Sequence, residues 1–211
     1  MVIAFDAESS SSTYVVDTTL SWSHTCTGTK RILIVATRGT MGVADVITGV
    51  TYNSVAMTKL GSSYQGSSDR WIALWYLLNP STGTNTITVS ASLGDVIMGS
   101  SSSYTGVGKI GTTTGTATDG SATSLTTSFT TTRPNSWLVA AVGNSAGQAT
   151  AGTGTAVRGS IGAGICVADS NAKINIPSSS SLVTNLGSST TWVGIATELI
   201  VAQSSSMFQC F

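Results

Sequence analysis

Trp71-Ile-Ala-Leu-Trp-Tyr-Leu-Leu78 is the longest apolar run in the chain, and its reading decides the fold. Taken alternately, one set is Trp71, Ala73, Trp75 and Leu77, and the other is Ile72, Leu74, Tyr76 and Leu78. Both sets are apolar, so a strand here is buried on both faces. The run is far shorter than the roughly 20 residues of a membrane helix. Asn79-Pro80-Ser-Thr-Gly83 ends it, because proline cannot serve a central ladder.

The same grammar holds on either side. Arg31 to Ala36 is apolar on both faces and reads as a second central strand. From Thr19 to Cys26, Leu20, Trp22, His24 and Cys26 share one face under period-two alternation. Val50-Thr-Tyr52 and Val55-Ala-Met57 flank Asn53-Ser54, a two-residue hairpin in which Ser54 stands where Gly would be easier. Thr86 to Ser90, Val96 to Val107 around Tyr104, Trp137 to Val142, Gly159 to Ala168 and Trp192 to Val201 supply further strands. Thr112 to Thr132 reads as a Gly/Thr loop followed by a half-exposed strand carrying Leu125 and Phe129. No window keeps helical apolar spacing. The expectation is an all-β, antiparallel sandwich of about a dozen strands with almost no helix and no repeat period.

Three segments are expected. Residues 1–13 form an N-terminal arm, with a strand from Val2 to Phe5 and a flexible Ser9–Ser12 link. Residues 14–202 form the sandwich, and residues 203–211 form a tail in which Ser204–Ser206 leads to Met207-Phe-Gln-Cys-Phe211. Val2, Ile3, Phe5, Met207, Phe208 and Phe211 would expose apolar surface on a lone subunit. They are the candidate assembly contacts.

Composition narrows the function. Charged residues are 9% of the 211, against about 25% in an ordinary soluble domain, and the net charge is zero. That leaves no basic footprint for nucleic acid. It also leaves little colloidal repulsion, as expected of a surface that is either hidden in an assembly or hydrated by its hydroxyls. The N-terminus lacks a basic n-region and cleavage site, so synthesis and retention in a cytoplasm are expected. Cys26, Cys166 and Cys210 form no CxxC pair, so zinc is not expected. Free thiols fit a reducing compartment, with a Cys26–Cys166 bridge as the open alternative.

No catalytic, cofactor or metal residues are nominated. Gly143-Asn-Ser145-Ala-Gly147 matches a nucleophile elbow, but no helical face follows it and the single histidine, His24, is distant in sequence. Gly106-Val-Gly108-Lys-Ile-Gly111 matches a dinucleotide loop, but Thr112-Thr-Thr-Gly-Thr is no helix start. His24 reads as a hydrogen-bonded structural histidine. Asp45, Asp95, Asp119 and Asp169 read as turn residues rather than calcium ligands. Glu198, on the Trp192 face, lacks the partner carboxylate that glycoside hydrolysis needs. Most tryptophans read as core. Tyr64, in the polar stretch Gly61 to Asp69, is the candidate for an exposed aromatic that stacks on a glycan, with packing over a sheet edge as the alternative.

Several stretches, in order, resemble a known domain. They are Trp22-Ser23-His24 with Arg31-Ile-Leu-Ile-Val35, and Val50-Thr-Tyr-Asn-Ser-Val-Ala-Met-Thr58. Leu74-Trp-Tyr-Leu-Leu-Asn-Pro80, Gly83-Thr-Asn-Thr-Ile-Thr-Val89, Tyr104-Thr-Gly-Val107 and Trp192-Val-Gly-Ile-Ala-Thr-Glu-Leu199 follow. Together they are similar to a jelly-roll, concanavalin-like sandwich that recurs in bacteriophage virion proteins and large bacterial surface proteins. The resemblance implies a jelly-roll fold and a virion structural role, most simply a capsid decoration (cement) protein. The expected partners are the major capsid protein and other copies of the chain, as in a trimer. The expected location is the virion surface, after synthesis in the host cytoplasm. The alternative is a module of a fibre or adhesin that binds a host-surface glycan or receptor. The resemblance implies no catalytic residues and no cofactor.

Overall fold

The computed structural model describes residues 1–11, 13–39, 45–65, 70–162 and 164–203, apart from the side chains of residues 112–114 and 119. It is all-β, and every strand pairing is antiparallel. The first eight strands are β1 (Ala4–Ser10), β2 (Val15–Cys26), β3 (Ile32–Gly39), β4 (Ile47–Tyr52), β5 (Val55–Ala56), β6 (Thr58–Gln65), β7 (Arg70–Leu78) and β8 (Gly83–Thr105). The remaining six are β9 (Val107–Thr130), β10 (Trp137–Asn144), β11 (Thr150–Ala151), β12 (Ala156–Ile161), β13 (Ile165–Asp169) and β14 (Ser179–Val201).

These strands build the same object twice. One sheet runs β5-β4-β8-β3-β7-β6, with β1 and β2 also on β8. The other runs β11-β14-β10-β13-β12, with β9 also on β14. Strand β14 plays the part of β8, β10 that of β3, β13 that of β7, β12 that of β6 and β11 that of β4. Strand β9 does in one piece what β1 and β2 do in two. The registers agree as well. Ile32 to Arg38 lie opposite Tyr104 to Met98, and Trp137 to Asn144 lie opposite Leu199 to Trp192.

The long strands β8 and β14 each have 23 residues. Ile87, Val89, Asp95 and the run from Ile97 to Tyr104 are buried in β8; Leu182, Thr184, Thr190 and the run from Trp192 to Ile200 repeat that spacing in β14. Both break register at a bulge, near residues 91–94 and 186–189, where each long strand bends over its own sheet. Even the turns match: Lys30, before β3, and Asn135, before β10, both have positive φ, at 51° and 61°. The sequence expectation of no repeat is thus corrected by the topology.

Three apolar layers hold the fold together, one between the halves and one within each. The seam joins Ile32, Ile34, Ile72, Leu74 and Tyr104 of the first half to Trp137, Val139, Ile165, Val167 and Leu199 of the second. The opposite face of β3 and β7 packs under the bent-over layer of the first half, through Leu20, Trp22, Leu33, Val35, Trp75, Ile87 and Val89. The second half does the same with Leu125, Phe129, Leu138, Ala140, Ala168, Leu182 and Trp192. Because β3, β7 and β10 are covered on both faces, they read as continuous apolar runs. The result is a jelly-roll-like β-sandwich.

Several local expectations change. Ser9 and Ser10 are not a link: they pair with Ser101 and Ser100 inside β1. The proposed Gly/Thr loop from Thr112 lies within β9, held by its long partner β14. Gly159 to Ala168 is a hairpin between β12 and β13 rather than one strand. The Asn53-Ser54 hairpin stands as read, with both residues at positive φ, 49° and 64°, as a type I′ turn requires. Cys26 and Cys166 are buried free thiols in different layers, so they do not form a bridge. Cys210 lies outside the described residues.

Candidate functional site

The N-terminal arm is largely part of the sandwich, which corrects its reading as a docking segment. Ile3 is 2% exposed in the seam core, and Phe5 packs edge-on against Tyr104 at 6.0 Å and beneath the Arg158 guanidinium at 4.0 Å. Of the proposed N-terminal contacts, only Val2 stays at the surface, 66% exposed beside Met1 at 60%. Met207, Phe208 and Phe211 lie outside the described residues. Tyr64 belongs to the edge strand β6, opposite Trp71, and is half-buried over the outer core rather than presented on a loop.

The chemical motifs resolve into structural roles. In the elbow-like stretch, Asn144 Oδ1 accepts the Ala146 and Gly147 amides at 2.9 Å, closing a tight turn, while Ser145 pairs with Thr191. His24, 1% exposed, bonds through Nδ1 to Ser9 Oγ at 2.8 Å and Ser101 Oγ at 3.1 Å. Burial pulls its pKa down to about 4, only partly opposed by Asp6, so the imidazole is neutral near pH 7 and too weak a base to activate Ser9. Asp169 is buried under Tyr104 Oη at 2.9 Å and Arg158 Nε at 3.0 Å. Gly106-Val-Gly108-Lys-Ile-Gly111 enters β9 directly, without a helix.

Two carboxylates share one task in the two halves. In the first, Asp6 on β1 accepts the Thr27 amide at 2.8 Å, the Thr27 hydroxyl, and Ser103 Oγ at 2.8 Å. Burial raises the Asp6 pKa, but these hydrogen bonds outweigh it and hold the carboxyl below its ordinary value. In the second half, the position of Ser103 is taken by Glu198. Its fully buried carboxylate accepts the Thr132 and Arg133 amides at 3.0 Å and Thr132 Oγ1 at 2.7 Å. The position of Asp6 is taken by Gly111, where a Cβ would come within 3.1 Å of Glu198 Cβ. The cap has moved to the neighbouring strand, and a glycine leaves it room. Glu198 is therefore an anchor for the 131–136 turn.

That turn forms one wall of a groove of about 790 Å³. Arg133, Pro134 and Asn135 make this wall, Ile200 and Val201 the floor, and Gly108, Lys109 and Met1 the far side. A smaller cleft shares Lys109, Arg133 and Ile200 and extends it. In the first half the matching turn is closed: Gly106 and Val107, leaving β8, donate to the Thr29 and Lys30 carbonyls at 3.3 and 2.9 Å. In the second half, the residue leaving β14 turns elsewhere, with Ala202 donating to Gly106 O at 2.8 Å.

The groove thus has an apolar floor, two cationic side chains and a rigid wall, which suits an extended peptide segment better than acid–base chemistry. The sequence did not nominate it, because Arg133, Pro134 and Val201 are ordinary turn and strand-end residues until the fold joins them. Exposed apolar side chains were also missed: Tyr14 and Val16 at the start of β2 and Leu93 at the bend of β8 are 52%, 67% and 51% exposed. Among the described residues no group of three or more His, Cys, Asp or Glu is placed to hold a metal ion. Comparison with family models, with curated proteins and with solved structures found no match.

Proposed function

We propose that this chain is a non-catalytic structural protein of a bacteriophage virion, most simply a capsid decoration (cement) protein that binds the major capsid protein and further copies of itself. The observation that carries the reading is the end of the sandwich where Met1 and Gln203 line one groove. Exposed Met1 and Val2 stand beside an open groove, and the chain continues past Gln203 into the apolar Met207-Phe-Gln-Cys-Phe211. A charge-poor body adds little repulsion between copies. The resemblance to virion sandwich domains supports the same reading.

The test is co-sedimentation of the purified chain with capsids assembled from the major capsid protein encoded beside it. Saturable binding that raises the temperature of capsid disruption is expected. A gene neighbourhood without virion genes, or capsids that ignore the protein, would sink the proposal. The second reading, a glycan- or receptor-binding module, is favoured by one observation: Tyr14 is an aromatic residue 52% exposed at the surface. Specific signals on a glycan array, lost in Tyr14→Ala or Tyr64→Ala, would move that reading ahead.

A further inference from the structure

We infer that the groove between the 133–135 turn and the end of β14 receives the Met207–Phe211 segment of a second copy of this chain. The inference rests on the assembly reading and deepens it by naming both the socket and the plug.

The comparison of the halves supplies the argument. In the first half, the turn before β3 is covered by backbone, since Gly106 and Val107 run along it and donate to its carbonyls. In the second half, the turn before β10 is built in the same way, with Asn135 at φ 61° where Lys30 has 51°, and its cap is carried by Glu198 instead of Asp6. Among the described residues, Val201 and Ala202, the counterparts of Gly106 and Val107, follow β9 instead, and the space beside the turn is the groove. By the symmetry of the fold, an extended peptide belongs there.

The chain carries a suitable segment. Eight residues follow Gln203, and Met207, Phe208 and Phe211 among them are apolar. Gln203 itself lines the groove, so the tail starts at its lip. Entering its own groove would require the chain to reverse completely within the three residues Ser204–Ser206 that separate Gln203 from Met207. An extended exit carries Met207 and Phe208 roughly 13–17 Å away at about 3.3 Å per residue, which is the reach of a neighbour. Exchange of identical segments between copies is a low-cost route to association.

The test uses the full chain and two variants. Phe208→Asp spoils the plug, and Val201→Lys, on the half-buried floor, spoils the socket. Light scattering after size-exclusion chromatography should show the unaltered chain associating, and each variant alone weakened about tenfold or more, as expected on loss of one buried apolar contact. Mixing the variants should recover part of the association, because the intact tail of the Val201→Lys chain fits the intact groove of the Phe208→Asp chain. Far-ultraviolet circular dichroism must stay unchanged in both. A chain that is monomeric throughout, variants that associate as before, or a mixture that stays apart would each overturn the exchange. Capsid binding is read separately: association without capsid binding keeps the exchange and removes the virion role, and capsid binding by a monomeric chain does the reverse.

Discussion

The two halves of this chain share a strand order and a burial pattern, yet they fill them with different side chains. The outer layer of the first half is aromatic, built on Trp22, Trp71, Trp75 and Tyr52. The outer layer of the second is lean, with Ala140, Ala149, Ala168 and Ala196 under Phe129 and a single tryptophan, Trp192. Trp75 faces Val35 across β7 and β3, and the matching pair in the second half is Ala168 and Ala140. The difference teaches that register and alternation define the architecture, while volume is matched within each layer independently. The same holds at the seam, where Arg38 crosses to donate to Gly164 O at 3.0 Å and its counterpart is Gly143, whose Cβ would lie 3.3 Å from the Arg38 chain.

The largest expected effect tests whether the halves are one cooperative unit. Trp75 is 4% exposed and donates to Thr37 Oγ1 at 3.0 Å. Trp75→Ala should lower the stability of the whole molecule by about 3–5 kcal/mol. Urea unfolding followed by near- and far-ultraviolet circular dichroism should still give one transition, because the seam core belongs to both halves. Two separated transitions would break the picture.

A second prediction concerns acid. The place of His24 in the first half is taken by Phe129 in the second, and that of Ser101 by Ala196. Burial holds the folded His24 pKa at about 4, below the unfolded value of about 6.5. The stability from keeping this ring neutral is complete above the unfolded value and is lost as pH falls from there through the folded one. Between about pH 7 and about pH 5 the loss should be on the order of 2 kcal/mol. The paired replacement His24→Phe with Ser101→Ala should remove most of that slope in urea midpoints. A slope that survives would place the acid sensitivity elsewhere.

The carboxylate caps come next. Glu198→Ala leaves the Thr132 and Arg133 amides without their acceptor in a buried site, and about 1.5–3 kcal/mol should be lost. Asp6→Ala, at a more open site, should cost less. Equal losses would show that burial does not separate the two caps.

The smallest effect lies in the hairpins. Ser54→Gly should stabilise by about 1 kcal/mol, since a side chain at φ 64° is strained. Gly154, at φ 69° in the second half, should show the reverse on Gly154→Ala, read as shifts in the melting temperature.

By itself the sequence determined the strand content of the molecule, through patterns confined to single segments. Alternation placed Leu20, Trp22, His24 and Cys26 on one buried face, and they are 6%, 8%, 1% and 0% exposed. Two-sided apolarity marked β3 and β7 as central, and Asn53-Ser54 marked a hairpin. Tertiary structure alone decided what depends on a distant partner. Ser100 to Ser103 are hydroxyl-bearing and fully buried, because β1 and β3 flank them and the hydroxyls of Ser100, Ser101 and Ser103 bond to Gly159 O, His24 and Asp6. The Thr-rich stretch after Lys109 is a strand because β14 runs beside it. The doubling of the fold was hidden for the same reason. Its signature is which residues pair and which are buried, and Trp75 answered by Ala168, or Asp6 by Glu198 on another strand, leaves no common letter to find. The groove, too, exists only where the turn before β10 and the end of β14 are brought together without the backbone that closes the matching turn before β3.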